Sequence, residues 1–392
     1  MTGPLTGITI VSLEQAIAAP FATRQLADLG ARVIKIERPE VGDFARAYDD
    51  RVKGMSSHFA WTNRSKESLT LNTKHEFAQE VLHALLEKAD VLVQNLAPGA
   101  TARINLDYES LKERYPRLIV CDISGYGSNG PYTEKKAYDL LVQAEAGFLS
   151  VTGLKDDMVK AGCSIADIAA GMYAYSGILA AIIERGRTGR GTRLDVSMLE
   201  AMTEWMSFPM YYAFNGASPP PRAGASHATI YPYGPFKAND GKTVILGLQN
   251  EREWVKFCQI VLDAPALATD ERFASNASRS RNREELRSII ETVFGSMNSD
   301  ELVTRLDVAD IANGRVNDMH SVWEHPQLKA RKRWRTVGSP VGKIPALLPP
   351  GGDPFEIRMD PIPAVGQHTD SILVELGFDT SRVESLRATG GI

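Results

Sequence analysis

Apolar positions in the first third of the chain alternate between a period of two and a period near 3.6. Ile8–Leu13 (ITIVSL) is a compact β-branched run and reads as a strand. Pro20 suits a first helical turn, and Phe21, Ala22, Leu26 and Leu29 then share one helical face. Gly30 ends that helix, and Arg32–Ile36 (RVIKI) reads as the next strand. A strand–helix–strand unit implies a parallel sheet with a right-handed crossover. The same alternation predicts strands at Val91–Gln94, Leu118–Ser124 and Arg193–Val196. It predicts helices near Phe77–Lys88, Leu140–Leu149, Asp167–Glu184 and Glu200–Tyr212.

The character changes at Gly216–Gly224 (GASPPPRAG), which cannot continue a helix. Beyond it, Thr243–Leu248 reads as a strand. Glu251–Leu262, Arg283–Met297 and Asp300–Leu306 read as amphipathic helices. A second Pro/Gly-rich stretch, Ala346–Pro354, precedes a tail with a short helix at Asp370–Leu376. The expected organisation is a large domain over residues 1–215, a linker at 216–225, a smaller domain over 226–325, a second linker at 326–355, and a C-terminal part over 356–392.

Length and composition agree with two soluble globular domains: 392 residues, 43% hydrophobic and 23% charged. A net charge of -4 gives no overall basic field for nucleic acid or anionic membranes. Cys121, Cys163 and Cys258 form neither a zinc spacing nor a disulfide framework, so no metal site is expected and a reducing cytoplasm fits. The N-terminal segment lacks the pattern of a signal peptide, and no apolar run reaches transmembrane length without a charge.

Candidate chemistry gathers at the predicted strand ends, where open α/β sheets bind ligands. The first such turn, Glu14–Pro20 (EQAIAAP), has no G-x-G-x-x-G, which disfavours a nicotinamide oxidoreductase. Its alanines allow close helix packing, and the helix start could also receive an anion. Lys35, Arg38, Arg46 and Lys53 cluster after the second strand, Lys74 follows Leu69–Thr73, Asn95 ends a strand, and Arg103 follows a Gly99 turn. Basic side chains so placed suit phosphate groups. Gly125–Pro131 (GYGSNGP) is a glycine-rich loop after a strand, either a flexible connector or a binding element.

Asp167 is the one charge in Ala161–Tyr175 (AGCSIADIAAGMYAY), at the start of the longest apolar helical pattern. As a helix cap it would bond backbone N–H groups. As a reactive group it would be kept ionised by the helix N-terminus and kept dry by its apolar surroundings, and so act as a nucleophile.

In order along nearly the whole chain, these segments resemble the class III CoA-transferase family. The matching stretches are Ala19–Arg46 (APFATRQLADLGARVIKIERPEVGDFAR), Asn63–Lys74 (NRSKESLTLNTK), Gln94–Arg103 (QNLAPGATAR) and Ser124–Pro131 (SGYGSNGP). They continue through Lys136–Asp139 (KAYD), Ser164–Gly171 (SIADIAAG), Thr188–Val196 (TGRGTRLDV), Tyr231–Phe236 (YPYGPF) and Gly366–Thr369 (GQHT). The resemblance implies an α/β fold: a Rossmann-like large domain with a parallel sheet, built from both chain termini, plus a smaller α+β domain, in an interlocked homodimer.

It implies transfer of CoA from an acyl-CoA to a free carboxylic acid, with Asp167 as nucleophile and no tightly bound cofactor. Ile17, Ala18, Arg38, Leu71, Lys74, Asn95, Leu96, Arg103, Lys136, Ala137, Tyr138 and Asp139 resemble CoA-contacting positions. Asp139 stands where some transferases have Glu. Some members carry Gln at the position of Ile17; an isoleucine cannot donate a hydrogen bond, so oxyanion stabilisation must come from elsewhere, backbone N–H groups included. Gly247–Asn250 (GLQN) lacks the glycine run of the oxalate-linked members, so formyl and oxalyl substrates are not expected.

The block Glu14–Ser68 resembles transferases acting on short branched dicarboxylates of the mesaconate, itaconate, citramalate or malate type, with succinyl-CoA as donor. Arg46, Arg222 and His227 are the candidates to hold a second carboxylate. Two alternatives remain at this point. A racemase or epimerase of the same family needs an opposed His and Asp, but its His position holds Tyr138. A non-catalytic acyl-CoA-binding protein would have no use for Asp167.

Overall fold

The structure is a computed structural model and describes residues 3–352 and 354–392. It divides into two units. The first comprises Met1–Phe148, Ala161–Ser207 and Leu328–Ile392; the second comprises Leu149–Lys160 and Phe208–Gln327.

The first unit is built on six strands: β1 (Thr9–Leu13), β2 (Arg32–Glu37), β3 (Lys66–Thr70), β4 (Val91–Gln94), β5 (Ile119–Ser124) and β6 (Arg193–Ser197). They lie in the order β3-β2-β1-β4-β5-β6, and every neighbouring pair is parallel. This is the doubly wound order, with its reversal between β1 and β4. Alternate residues supply the two faces. Ile10, Val33, Val91, Val93, Ile119 and Cys121 pack under α1 (Ala18–Asp28), α4 (Ile165–Thr188) and α5 (Met198–Trp205). Val11, Leu13, Ile34, Ile36, Leu69 and Leu92 pack under α2 (Ala78–Leu86) and α6 (Thr369–Glu375). A sheet covered on both faces needs apolar residues at successive positions, which is why its strands read as β-branched runs.

β3 breaks that rule and has no apolar signature. Its sequence, KESLT, is mostly polar, yet four of its five residues are buried. Each buried polar group has a distant partner. Lys66 Nζ donates to Glu14 Oε1 at 2.5 Å, Ser68 Oγ donates to Glu37 Oε2 at 2.5 Å, and the Thr70 N–H donates to Thr369 Oγ1 at 2.9 Å. The outer edge of β3 is sealed by the C-terminal segment: Ser68 N–H donates to His368 Nδ1, and His368 N–H to Ser68 O.

The expected second linker is only partly irregular. Trp334–Val337 and Ile344–Leu347 pair antiparallel inside the first unit. Helix α4 is long and apolar enough to cross a membrane, but Ala166, Ala169, Ala170, Ala174, Ile178 and Ala181 recur every three to four residues and are buried in the core. The second unit has an antiparallel sheet of Tyr233–Lys237, Thr243–Gly247 and Ala312–Arg315, with Thr243–Gly247 in the centre. Trp254, Phe257, Phe273, Phe294, Leu302 and Leu306 form its core.

Under α1, Asp28 is fully buried between two arginines. It accepts from Arg24 Nη1 at 2.7 Å and from Arg64 Nε and Nη2 at 2.8 and 2.7 Å. Removing the one acid leaves two buried guanidinium groups facing each other. Asp28→Asn is expected to lower unfolding stability by about 3 kcal/mol, measured as a fall in the urea midpoint at constant m-value.

Candidate active site

All six strands deliver residues to one cleft of about 1020 Å³ at the carboxyl edge of the sheet. Ile17 and Ala18 follow β1, Arg38 follows β2, and Leu71 and Lys74 follow β3. Asn95 and Leu96 follow β4, Ser124 ends β5 and Gly125 follows it, and Met198 follows β6. The segment Lys136–Asp139 closes one wall. It can do so because Gly125 has no side chain: a Cβ there would lie 2.1 Å from the Ala137 Cβ. Gly125 is therefore a packing requirement.

The start of α4 answers the question that its sequence leaves open. Ser164 is the N-cap but makes no side-chain cap bond. Helix α3 (Asp139–Glu145) supplies the acceptor instead. Asp139 Oδ1 accepts from Ala166 N–H at 2.8 Å and Asp167 N–H at 3.4 Å, and Asp139 Oδ2 accepts from Gln143 Nε2 at 2.6 Å. The capping work falls to Asp139, and the Asp167 carboxylate is left facing the cleft.

One backbone donor favours its charged form, the Ala18 N–H at the start of α1. That contact requires close approach of α1 and α4, which meet through Ala18, Ala19, Ala22, Ala166, Ala169 and Ala170. Gly171, one turn beyond Asp167, sets the distance: a Cβ there would lie 2.7 Å from Ala18 O and 2.9 Å from Phe21 Cδ1.

Burial, and then the Asp139 carboxylate, push the Asp167 carboxyl up to about 7 against the Ala18 hydrogen bond. The expectation of a fully ionised group therefore needs correction. Desolvation outweighs the helix N-terminus and holds the proton on well above the ordinary carboxylate range. A carboxyl shifted this far in a cleft is a candidate for function.

Of the twelve positions matched to CoA contacts, eleven line the cleft and Arg103 does not. Arg103 is exposed at the end of a short helix, its Nη1 folded over Gly99. Arg38, Lys74 and Lys136 are exposed cations of the lining, suited to phosphate. Asn95 also braces the turn after β1: its side-chain amide donates to Gln15 O and accepts from Gln15 N–H, both at 2.8 Å.

The three residues expected to hold a second carboxylate are not among the cleft residues. Arg46 spends Nε and Nη2 on Glu37 at 2.8 and 2.7 Å and stacks 3.7 Å over Phe59. Arg222 and His227 belong to the second unit. There Arg222 donates to Lys155 O, and His227 stacks on Tyr233 while its Nδ1 accepts from Thr229 and Ile230 N–H. Lys35 and Lys53 are also absent from the cleft. Lys35 is fully buried on Glu14 and Asp43, and Lys53 reaches Lys343 O.

Sequence reasoning missed Gln15, Tyr48 and His58, which do line the cleft. The Tyr48 and His58 rings meet edge to face at 5.4 Å. Burial raises the Tyr48 hydroxyl to about 12, with Asp43, Asp167 and Tyr138 adding to it. His58 Nδ1 lies 3.3 Å from Asp49 Oδ2, and hydrogen bonds from Ser57 hold the Asp49 carboxyl below its ordinary range. The only sequence signal was their place in the irregular block after β2.

The model of CoA-transferase family III matches residues 5–369, and the chain belongs to that family. It is an enzyme of the CoA-transferase class, whose members act on CoA thioesters. It is 33% identical over 395 residues to human succinyl-CoA:glutarate CoA-transferase, covering 99% of this chain and 89% of that protein. It is 32% identical over 409 residues to succinyl-CoA:mesaconate CoA-transferase of Haloarcula marismortui, covering 98% and 99%. Among solved structures, a CAIB/BAIF family protein from Brucella suis superposes with a TM-score of 0.85 at 34% identity, covering 96% and 100%.

Two outcomes follow from the Asp167 environment. Its folded pKa of about 7 lies above the unfolded value near 3.9. Between those values the native state holds a proton that the unfolded chain has lost, so stability falls as pH rises through that window. Asp167→Asn escapes this penalty. Its thermal midpoint should exceed that of the parent at pH 8, with the difference vanishing near pH 4. Gly171→Ala should force α1 away from α4 and lower kcat by roughly tenfold or more, with KM for acyl-CoA nearly unchanged in steady-state assays.

Proposed function

We propose that the enzyme moves CoA from a donor such as succinyl-CoA to a short dicarboxylic acid, with Asp167 as the covalent carrier. A carboxylate oxygen of Asp167 attacks the donor thioester carbonyl, and the C–S bond breaks to give an aspartyl anhydride and CoA thiolate. The thiolate attacks the aspartyl carbonyl, releasing the donor acid and leaving an aspartyl–CoA thioester. The acceptor carboxylate attacks that thioester to form a second anhydride. The returning thiolate takes the acceptor acyl group and restores Asp167. Each step exchanges one activated acyl bond for another, and a water-poor site keeps that activation from hydrolysis.

The observation that carries this reading is the division of labour between two aspartates. Asp139 serves the helix start, while Asp167, poorly solvated, faces a cleft with Arg38, Lys74 and Lys136 in its lining. A binding protein has no reason to retain such a costly carboxyl. With Arg46 committed to Glu37, the cleft offers His58 for a second carboxylate, backed by Asp49 and beside Tyr48. Its Nε2 has no protein partner among the described residues. The relatives named for glutarate and mesaconate support a dicarboxylate acceptor.

The reading includes a cytoplasmic homodimer in which the chains interlock. Phe208, Met210, Tyr211 and Phe214 are 57–77% exposed in the second unit, an apolar surface that a second copy would cover.

Hydroxylamine added with succinyl-CoA should trap an acyl-enzyme in the parent and none in Asp167→Asn; full turnover by that variant would sink the reading. A panel of acceptor acids read by mass of the CoA esters should show dicarboxylates turned over. His58→Phe should raise KM for those acceptors by roughly tenfold and leave KM for the donor unchanged. Exchange of the donor α-proton with deuterated water in the absence of acceptor would indicate racemase chemistry instead.

A further inference from the structure

Beneath the turn that presents Ala18 to Asp167 lies a cluster of wholly buried charges. Glu14, Lys35, Asp43 and Lys66 have fully buried side chains. Lys35 Nζ lies 2.7 Å from Asp43 Oδ2 and 3.3 Å from Glu14 Oε1, and Lys66 Nζ lies 2.5 Å from Glu14 Oε1. Glu37 and Arg46 form a neighbouring pair, joined to the cluster where Glu37 Oε1 accepts from Asp43 N–H at 2.9 Å. Buried pairs of this kind seldom add stability over apolar residues of the same size. Their cost calls for another reason.

The bonds that leave the cluster supply one. They end on the β1–α1 turn at several points. Asp43 Oδ1 accepts from Ala16 N–H at 3.1 Å, and Ala16 is a non-glycine residue at φ 62°. Lys66 Nζ donates to Pro20 O at 3.0 Å. Glu14 Oε2 accepts from Thr23 Oγ1 at 2.5 Å, in the second turn of α1. The turn is gripped before, within and after Ala18. A left-handed alanine persists only where its surroundings impose it.

We propose that Asp43 and Lys66 are positioning residues for the transfer reaction, fixing the β1–α1 turn so that the Ala18 N–H stays on the Asp167 carboxylate. This rests on the reading of Asp167 as the covalent carrier. Neither residue touches substrate; both act through the backbone of residues 16–20. The charges around Lys66 agree with a strained clamp. Burial drives its ammonium down to about 7, because Glu14 is shared with Lys35 and its other partners, Pro20 O and Asn63 Oδ1, are neutral. Lys35 is held above its ordinary value despite burial, by Glu14, Asp43 and Glu37.

The test compares Asp43→Ala and Lys66→Met with the parent in steady-state assays from pH 5 to 9, using succinyl-CoA and the best acceptor acid. Groups facing Asp167 are Asp139 from α3, Tyr48 from the segment after β2, and the Ala18 N–H. Loss of the Ala18 bond removes the one contribution that lowers the Asp167 pKa. Both variants should therefore lose kcat by roughly tenfold or more, keep KM for succinyl-CoA within about twofold, and show the acidic limb of the kcat profile moved to higher pH.

Asp43→Asn, which keeps an oxygen for the Ala16 N–H, should recover part of the loss. Should the first two fail to fold, Thr23→Val loosens the same turn from α1, with a several-fold loss and the same limb shift. Folded variants with an unmoved acidic limb overturn the proposal, whether kcat is unchanged or falls only with thermal stability. Failure of the underlying reading would be visible separately, as activity surviving in Asp167→Asn.

Discussion

Two helix starts meet in this enzyme with little more than methyl groups between them. Most of what the site does depends on that spacing. At the contact of α1 with α4, the room for a Cβ at Gly171 is already taken by the Ala18 carbonyl. Alanine and glycine contribute little apolar area, so the interface is not rich in hydrophobic stabilisation. What it provides is proximity, which puts a backbone N–H against a carboxylate in poorly solvated surroundings. Larger side chains would pack better and hold the two groups apart.

The carboxyl edge of the sheet also shows two buried carboxyl groups whose pKa values are shifted in opposite directions. Glu14 is fully buried, and burial alone would favour its proton, but Lys66 and Lys35 outweigh that and keep it ionised. Asp167 has no cation against it and another carboxylate nearby, so burial dominates. The first acid is a structural anchor; the second is the group proposed as the covalent carrier. Their difference comes from neighbours far away in sequence, not from local context.

That separation explains what could be read before the structure. Strands β1, β2, β4, β5 and β6 stood out because a doubly covered sheet demands consecutive apolar residues. Strand β3 did not, since its burial depends on Glu14, Glu37 and Thr369, the last 299 residues away. Asp167 was visible as a lone charge in an apolar run. Its freedom from capping was not, because the substitute cap sits 28 residues earlier on another helix. The place of Arg46 outside the cleft was hidden for the same reason, since nothing in the local sequence says that Glu37 will claim it from across a turn. His58 and Tyr48 lie in a stretch without periodicity, where only folded geometry reveals which side chains enter the cleft.

The sealing of β3 by residues near the chain's end has a consequence for biosynthesis. A ribosome delivers β1 through β6 first, then the main part of the second unit, Phe208–Gln327, and only afterwards His368 and Thr369. Until then the nascent sheet has an open margin, with backbone groups of Ser68 and Thr70 available to any passing strand. Expression yield should therefore hinge on how quickly translation runs through the last quarter of the message, and on chaperones that shield that margin in the interval.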